Sequence, residues 1–556
     1  MRKLVRRTPV LLAAFAAAVA LAACGDDNDN GGGGGGAAKS GGSITIGTVG
    51  PDSYDPVLFQ TVQAVQPLKL VYTGLLTYKD ETGAAGADLI PGLAEALPEV
   101  TNGGKTYKFK LRQGLKYSDG SAVKASDFEH TIKRLLLLGG PFSSFLSGIE
   151  GATDFTEKKD ENGDIPGIEA NDRTGEITIN LEAPDGKLPF ALAEAYSAPT
   201  PADKSPIRSL TKNPPPGVGP YTIDVIDPSK KFVLTKNPNF DIPGIAKGNV
   251  DKITAEVSDN VTRMTQDVIS GRLDFMTEDP TGDQLVEVRQ KYADRFKLAP
   301  NPPNTYYFFL NVTQKPFDKL EARQAVNYAL DSRALQRIFG GRLQPTCNFL
   351  PEGVVGYKKI DPCPWGDPNG EPDIAKAKQL VEQSGYKGMK VTVWTNNKDP
   401  RPAIAEYYAD TLKQIGFKTD IKTLNQQVYF DAVGDPANKA QTGFTDWFQD
   451  FPHPADFFEP LLSGKALQSK PTFNQSFVDD PEVNKKIDEL TPNPDASAVA
   501  DQWAELDKLV TGPEKAYVAV YGSEQSSTFM SERMNFQDCN GIHPVWKNDW
   551  ALFCLK

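Results

Sequence analysis

Residues that could carry out covalent or hydrolytic chemistry are few and poorly spaced for it. A nucleophile needs an activating base, and a hydrolytic metal needs three or four well-placed ligands. The three histidines, His130, His453 and His543, stand far apart in sequence, and neither G-x-S-x-G nor H-E-x-x-H occurs. Gly104-Lys105-Thr106 imitates the end of a phosphate-binding loop. Glu99, however, occupies the position where that loop needs its first glycine, and an alternating strand follows where a helix should. The acidic clusters at 160–164 and 361–373 lack EF-hand spacing and read as solvated loops. The expectation is a chain that is not an enzyme and uses no metal or cofactor.

Sulfur chemistry is the exception. Cys347 and Cys363, and Cys539 and Cys554, are spaced so that each pair would close a short loop. A zinc site competes, but the spacings are not of the Cys-x-x-Cys type and only His543 lies near. Two disulfides are the expectation for an exported chain.

The elements that would position a site follow from periodicity. Residues 107–112 and 177–181 alternate with period two, as half-buried strands do. Ser126-Asp-Phe-Glu129 has the capping-box pattern and predicts a helix through Leu138. Ala322, Ala325, Val326, Ala329 and Leu330 form one helical stripe, and Trp503, Leu506 and Val510 form another, ended by Gly512-Pro513. Asp373 is placed to cap a helix that Gly385 ends. A strand at 390–394, a helix at 404–415 and a strand at 417–423 then make a βαβ unit, so the middle of the chain is expected to be α/β.

The 556 residues are 39% hydrophobic and 24% charged, enough apolar material for a packed core. By length alone they would make three or four domains, or fewer with interleaved segments. A net charge of −12 argues against binding nucleic acid. Arg2, Lys3, Arg6 and Arg7 precede an apolar run from Val10 to Ala23, the pattern of a signal peptide over 1–23. Leu21-Ala-Ala-Cys24 resembles the lipobox of bacterial lipoproteins, which implies lipidation of Cys24. A Gly-rich tether over 24–42 would follow, leaving the protein outside the cytoplasmic membrane and touching it only through lipid.

Several blocks, in order, resemble the extracytoplasmic solute-binding proteins of ABC importers, in the family of oligopeptide-, dipeptide- and nickel-binding members (family 5). They are Tyr72-Thr-Gly-Leu-Leu76, Pro91-Gly-Leu-Ala-Glu95, residues 107–120, Ala125-Ser-Asp-Phe128, Gly217-Val-Gly-Pro-Tyr221, Gly271-Arg-Leu-Asp274, Arg323-Gln-Ala325 and Trp447-Phe-Gln-Asp-Phe-Pro-His-Pro454. The resemblance implies an α/β, two-lobed, periplasmic-binding-protein-like (Venus-flytrap) fold. Lobe 1 would be 43–74, 188–304 and 521–556, with an α+β subdomain inserted at 75–187, and lobe 2 would be 305–520. It further implies a monomer that closes on a solute and delivers it to a permease and ATPase complex.

In peptide-binding relatives an aspartate pairs the ligand's α-ammonium, and Asp450 matches it. Trp447 matches a residue lining the same pocket, and Phe448 lies beside it. By spacing alone Asp450 reads as a solvated loop acid or a helix cap before the Pro-rich stretch. Tyr306 and Tyr307 open the second lobe and Tyr521 stands at the return crossing, where tyrosines can bond a peptide backbone. For that run a strand with alternating burial is the competing reading. No arginine is identifiable for a ligand carboxylate, and His453 leaves a nickel chelate open as an alternative to peptides. A peptide sensor built on the same fold is another.

Overall fold

A computed structural model describes residues 40–556, apart from 83, 300–302, 469–470 and 494–495. The expected leader, Cys24 and most of the tether lie outside the described residues. Among the described residues no helix is long and apolar enough to cross a membrane.

Two sheets organise the chain. The first takes the strands Phe275–Met276, Ser43–Thr48, Lys252–Val257, Lys231–Lys236 and Tyr221–Asp227 in that spatial order. The second runs Leu343–Gln344, Val518–Glu524, Asn304–Leu310, Thr442–Phe448, Lys390–Asn396 and Lys418–Leu424. Lys390–Asn396 is parallel to both of its neighbours, and the helix Arg401–Ile415 joins it to Lys418–Leu424, so the βαβ unit is present. Asp373 accepts from Lys376 N at 2.8 Å, and Gly385 ends that helix in the left-handed conformation, as the spacing predicts.

The strand Asn304–Leu310 is buried at all seven positions instead of at alternate ones. Helical layers cover both of its faces. Phe308 stacks on Tyr408 of the helix Arg401–Ile415, with ring centres 3.7 Å apart. Tyr307 packs on Phe349 at 5.2 Å, and Phe349 in turn meets Phe458 of the helix Ala455–Leu462. A central strand in such a sandwich has no solvent face on which to alternate.

Segment 75–187 carries its own antiparallel sheet, ordered Glu99–Thr101, Thr106–Lys110, Glu176–Asn180, Ile168–Asn171. Its helix Ser126–Leu137 begins where expected but without the capping box. Ser126 is helical, its hydroxyl donates to Asp172 at 2.9 Å, and Glu129 pairs with Lys133 at 2.9 Å. The apolar core of this segment is continuous with that of the first lobe. Arg134 bolts the two together. Its guanidinium donates to Asp55 at 3.2 and 2.8 Å and to the carbonyls of Pro206 and Arg208, with both charged side chains fully buried.

The chain passes between the sheets twice, and the two passages run side by side. Phe296–Ala299 pairs antiparallel with Ser526–Phe529, and the chain continues on either side into Asn304–Leu310 and Val518–Glu524. Val518–Glu524 lies whole in the second sheet, so the return crossing falls at Gln525 and not after Val520. Ladder hydrogen bonds, which the apolar pattern does not mark, set that boundary.

Cys539 and Cys554 are bridged. Cys347 and Cys363 are not, which corrects the second expected disulfide. Cys347 Sγ donates to Ile360 O at 3.7 Å, and other groups close the loop. Asn348 donates to Lys358 O and to buried Asp507, both at 2.8 Å, and accepts from Ile360 N at 3.1 Å.

Candidate functional site

The strand Thr442–Phe448 ends at the edge where parallel strands of an α/β sheet present their carboxyl ends to ligands. Pro452 and Pro454 lack the N–H groups needed to continue it, and the helix Ala455–Leu462 begins one residue later. The intervening turn projects residues 449–453 toward the other lobe. Phe451 is completely buried in the first lobe's core, with its ring 5.1 Å from Phe145 and stacked on Phe190 at 5.9 Å. Beside it Lys187 of the first lobe lies 3.2 Å from Glu459 of the second. On the crossing side Arg342 lies 2.5 Å from Asp279 and 2.9 Å from Glu524. The lobes are therefore in contact on both sides of the turn that carries Asp450.

Asp450 sits in this contact zone with Oδ2 buried and without a hydrogen-bond partner. Its own N–H donates to Asp456 Oδ2 at 3.0 Å, and Trp447 Nε1 donates to the same oxygen at 3.3 Å. Trp447 is thus half-buried and held edge-on against Phe473 at 5.1 Å. From the first lobe come Glu194 and Tyr196, and from the segment inserted in it Tyr78. Glu194 Oε1 and both tyrosine hydroxyls are likewise buried and unpartnered. Burial pushes Asp450 up to about 7. Burial first, then the charge of Asp450, raises both Glu194 and Asp456 well above the carboxylate range. Several buried carboxyls without a counter-charge are costly, and they form a ready acceptor for a cation.

The aromatic candidates divide. Phe448 is half-buried and packs on Tyr306 at 5.9 Å. Tyr306 is committed to Glu524, its hydroxyl donating at 2.5 Å. Tyr307 points into the helical layer behind the sheet, which removes it from the cleft. Tyr521 is fully buried with its hydroxyl unpartnered, 6.2 Å from Tyr306 between ring centres. His453 is buried at the lobe contact. Its Nδ1 accepts from Ala455 N at 3.1 Å, its ring lies against Phe190 and Trp503, and burial lowers its pKa to about 4. Among the described residues no group of three or more His, Cys, Asp or Glu could hold a metal.

Sequence reasoning missed Glu194, Tyr78, Tyr196 and Asp456, which the fold brings to Asp450, and it missed Arg401. Arg401 opens its helix just beyond the carboxyl end of the strand Lys390–Asn396. Its Nη2 is paired with Asp446, its plane covers Phe444 at 4.4 Å and Tyr306 at 5.0 Å, and its buried Nη1 has no partner. Position at a strand's carboxyl end is a signal that could have found it. Glu194 carries no comparable local signal.

The family model "Bacterial extracellular solute-binding proteins, family 5 Middle" matches residues 88–469. The chain belongs to family 5. This family 5 protein is 25% identical over 421 residues to the glutathione-binding protein GsiB of Escherichia coli K12, covering 73% of this chain and 76% of GsiB. It is 26% identical over 458 residues to GsiB of Pectobacterium atrosepticum, covering 80% of each. Among solved structures it superposes on DppA of Helicobacter pylori, in complex with the peptide STSA, with a TM-score of 0.78 at 20% identity. That match covers 93% of this chain and 98% of DppA. Superposition on clavulanic acid biosynthesis oligopeptide binding protein 2 gives 0.78 at 24% identity, covering 89% and 92%. The fold is thus the two-lobed one. This family 5 chain is an extracytoplasmic solute-binding protein, whose work is capture and not catalysis.

Proposed function

We propose that this protein is a lipid-anchored receptor that captures short peptides between its lobes by their α-ammonium and hands them to the permease and ATPase of an ABC importer. The observation that carries this reading is the buried, unpartnered Oδ2 of Asp450 at the lobe contact. The relatives support it, one solved with a bound peptide and another a glutathione-binding protein. So does Arg401, whose free Nη1 and neighbouring Tyr521 hydroxyl offer donors suited to a carboxylate. Arg401 is held at Asp446, four residues before Asp450 on the same chain. At about 3.3 Å per residue the backbones of Asp446 and Asp450 lie at most about 13 Å apart, so one short extended ligand can reach both groups. Lobe 1 over 43–74, 188–304 and the chain after Gln525, with 75–187 inserted, would close on lobe 2 about the paired crossings.

Native mass spectrometry of the purified protein tests the reading. Adducts of short peptides are expected, whereas a single non-peptide mass or a metal would overturn it.

A pH dependence follows as well. A carboxyl raised by burial keeps its proton in the closed pocket up to about pH 7, but an ammonium pairs only with the ionised form. Binding therefore expels the proton of Asp450, with the hydroxyls of Tyr78 and Tyr196, and the carboxyls of Glu194 and Asp456 whose pKa values lie well above the usual range, facing it. Affinity for a free-amino peptide should climb from about pH 5 to about pH 7.5. Calorimetry in buffers of different ionisation heat reads the released protons, and a flat profile without release would exclude the pairing.

A further inference from the structure

Three buried carboxyl groups lie near enough to feel one another's charge where one α-ammonium is expected. Glu194 comes from the first lobe, Asp450 and Asp456 from the second, and each has a buried oxygen with no hydrogen-bond partner: Oε1, Oδ2 and Oδ1 respectively. Glu194 is 8% exposed and Asp456 0%. The hydroxyls of Tyr78 and Tyr196, on side chains 0% and 1% exposed, are unpartnered beside them. Protein cations do not balance this set. Lys69, whose charge reaches Glu194, is already held 2.8 Å from Asp80 and 2.6 Å from Asp549. Among the described residues, none of the three carboxylates is ion-paired to a Lys or Arg.

We propose that this pocket takes a ligand end carrying two positive charges, an α-ammonium and a basic side chain on the same residue, as in a peptide beginning with lysine, ornithine or diaminopropionate. The proposal rests on reading the cleft as a peptide site. An ammonium presents three N–H donors and one charge, so it can bridge Asp450 and one neighbour but leaves the third carboxylate uncompensated in a medium where like charges repel strongly. A second cation reaches that carboxylate, and the two tyrosine hydroxyls donate to the remaining lone pairs. Glu194 stands on the first lobe and Asp450 and Asp456 on the second, so the second charge would act on closure. A dication removes the repulsion between lobes that a monocation leaves in part, so the two ligands differ in how firmly they shut the protein.

The test compares Lys-Ala-Ala, Met-Ala-Ala and Ala-Ala-Lys by calorimetry on the purified protein. The first two match in length and shape at the amino end, and the first and third match in net charge. Lys-Ala-Ala should bind at least about tenfold more tightly than either, and Glu194→Gln should shrink that preference to within about twofold. Equal affinity for the three wild-type pairs would overturn the proposal alone, showing that protons neutralise the surplus carboxylates. An undiminished preference in Glu194→Gln would overturn it too. Failure of all three peptides to bind would overturn the peptide reading and this proposal with it. Should the variant not fold, the wild-type comparison of Lys-Ala-Ala with Ala-Ala-Lys still decides.

Discussion

Asp450→Ala should weaken binding of a peptide with a free amino terminus by about 30- to 1,000-fold, the equivalent of about 2–4 kcal/mol for truncating one partner of a buried charge pair. The loss should fall mainly on the dissociation rate, because Asp450 is enclosed at the lobe contact and is not a rim charge that steers encounter. The N-acetylated form of the same peptide supplies the control. It lacks the ammonium, so it should bind wild type poorly and be nearly indifferent to the substitution. Asp450 is distinct from its neighbour in this respect. Asp456 accepts from both Trp447 and the backbone of Asp450, so Asp456→Ala would disturb the turn itself, whereas the Asp450 side chain makes no hydrogen bond on which the fold depends. Unchanged affinity in Asp450→Ala by calorimetry would refute the assignment.

The largest effect on stability is expected at Arg134. Arg134→Ala leaves Asp55, wholly buried, with only the N–H groups of Val57 and Leu210 and no counter-charge, and it releases the carbonyls of Pro206 and Arg208. Breaking a buried pair from one side costs about 3–5 kcal/mol. Chemical denaturation should show a lower midpoint, and because Asp55 and Arg134 come from the first lobe and the inserted segment, the unfolding of the two should become separable. The pair as such need not be a source of stability, since replacing both partners with apolar residues of similar volume is often neutral or better. Asp55→Leu combined with Arg134→Met should therefore recover much of the loss. A single variant as stable as wild type would show that the inserted segment is held by its apolar core alone.

Local pattern made the elements legible. The βαβ unit, the cap at Asp373, the stop at Gly385 and the Trp503 stripe all depend on neighbours within a few residues, and they stand as the spacing predicts. Tyr306 to Phe309 were harder, because a strand covered on both faces has no period to read. Ser126 shows the opposite failure: the capping-box letters are present, but Asp172, 46 residues away, captures the hydroxyl. The site was legible only where it lies in one stretch, at Trp447 and Asp450. Glu194 and Tyr196 reach Asp450 across some 250 residues of chain, and no spacing rule spans that distance. Cys347 and Cys363 have suitable separation for a bridge, yet the nearby Asn348–Asp507 network that closes their loop depends on a helix more than 130 residues further on.

The two passages between the sheets lie hydrogen-bonded to each other from Phe296↔Phe529 to Ala299↔Ser526. Two separate strings would let the lobes twist and shear independently, but a ladder bends as one ribbon. If the lobes close about this ribbon, the motion is close to a single angle, like the cover of a book about its spine. The rims farthest from the spine then travel most for a given turn, so the gap between them converts the filling of a small buried pocket into a displacement at the outer surface. A partner that touches both rims at once could tell a filled receptor from an empty one without meeting the solute.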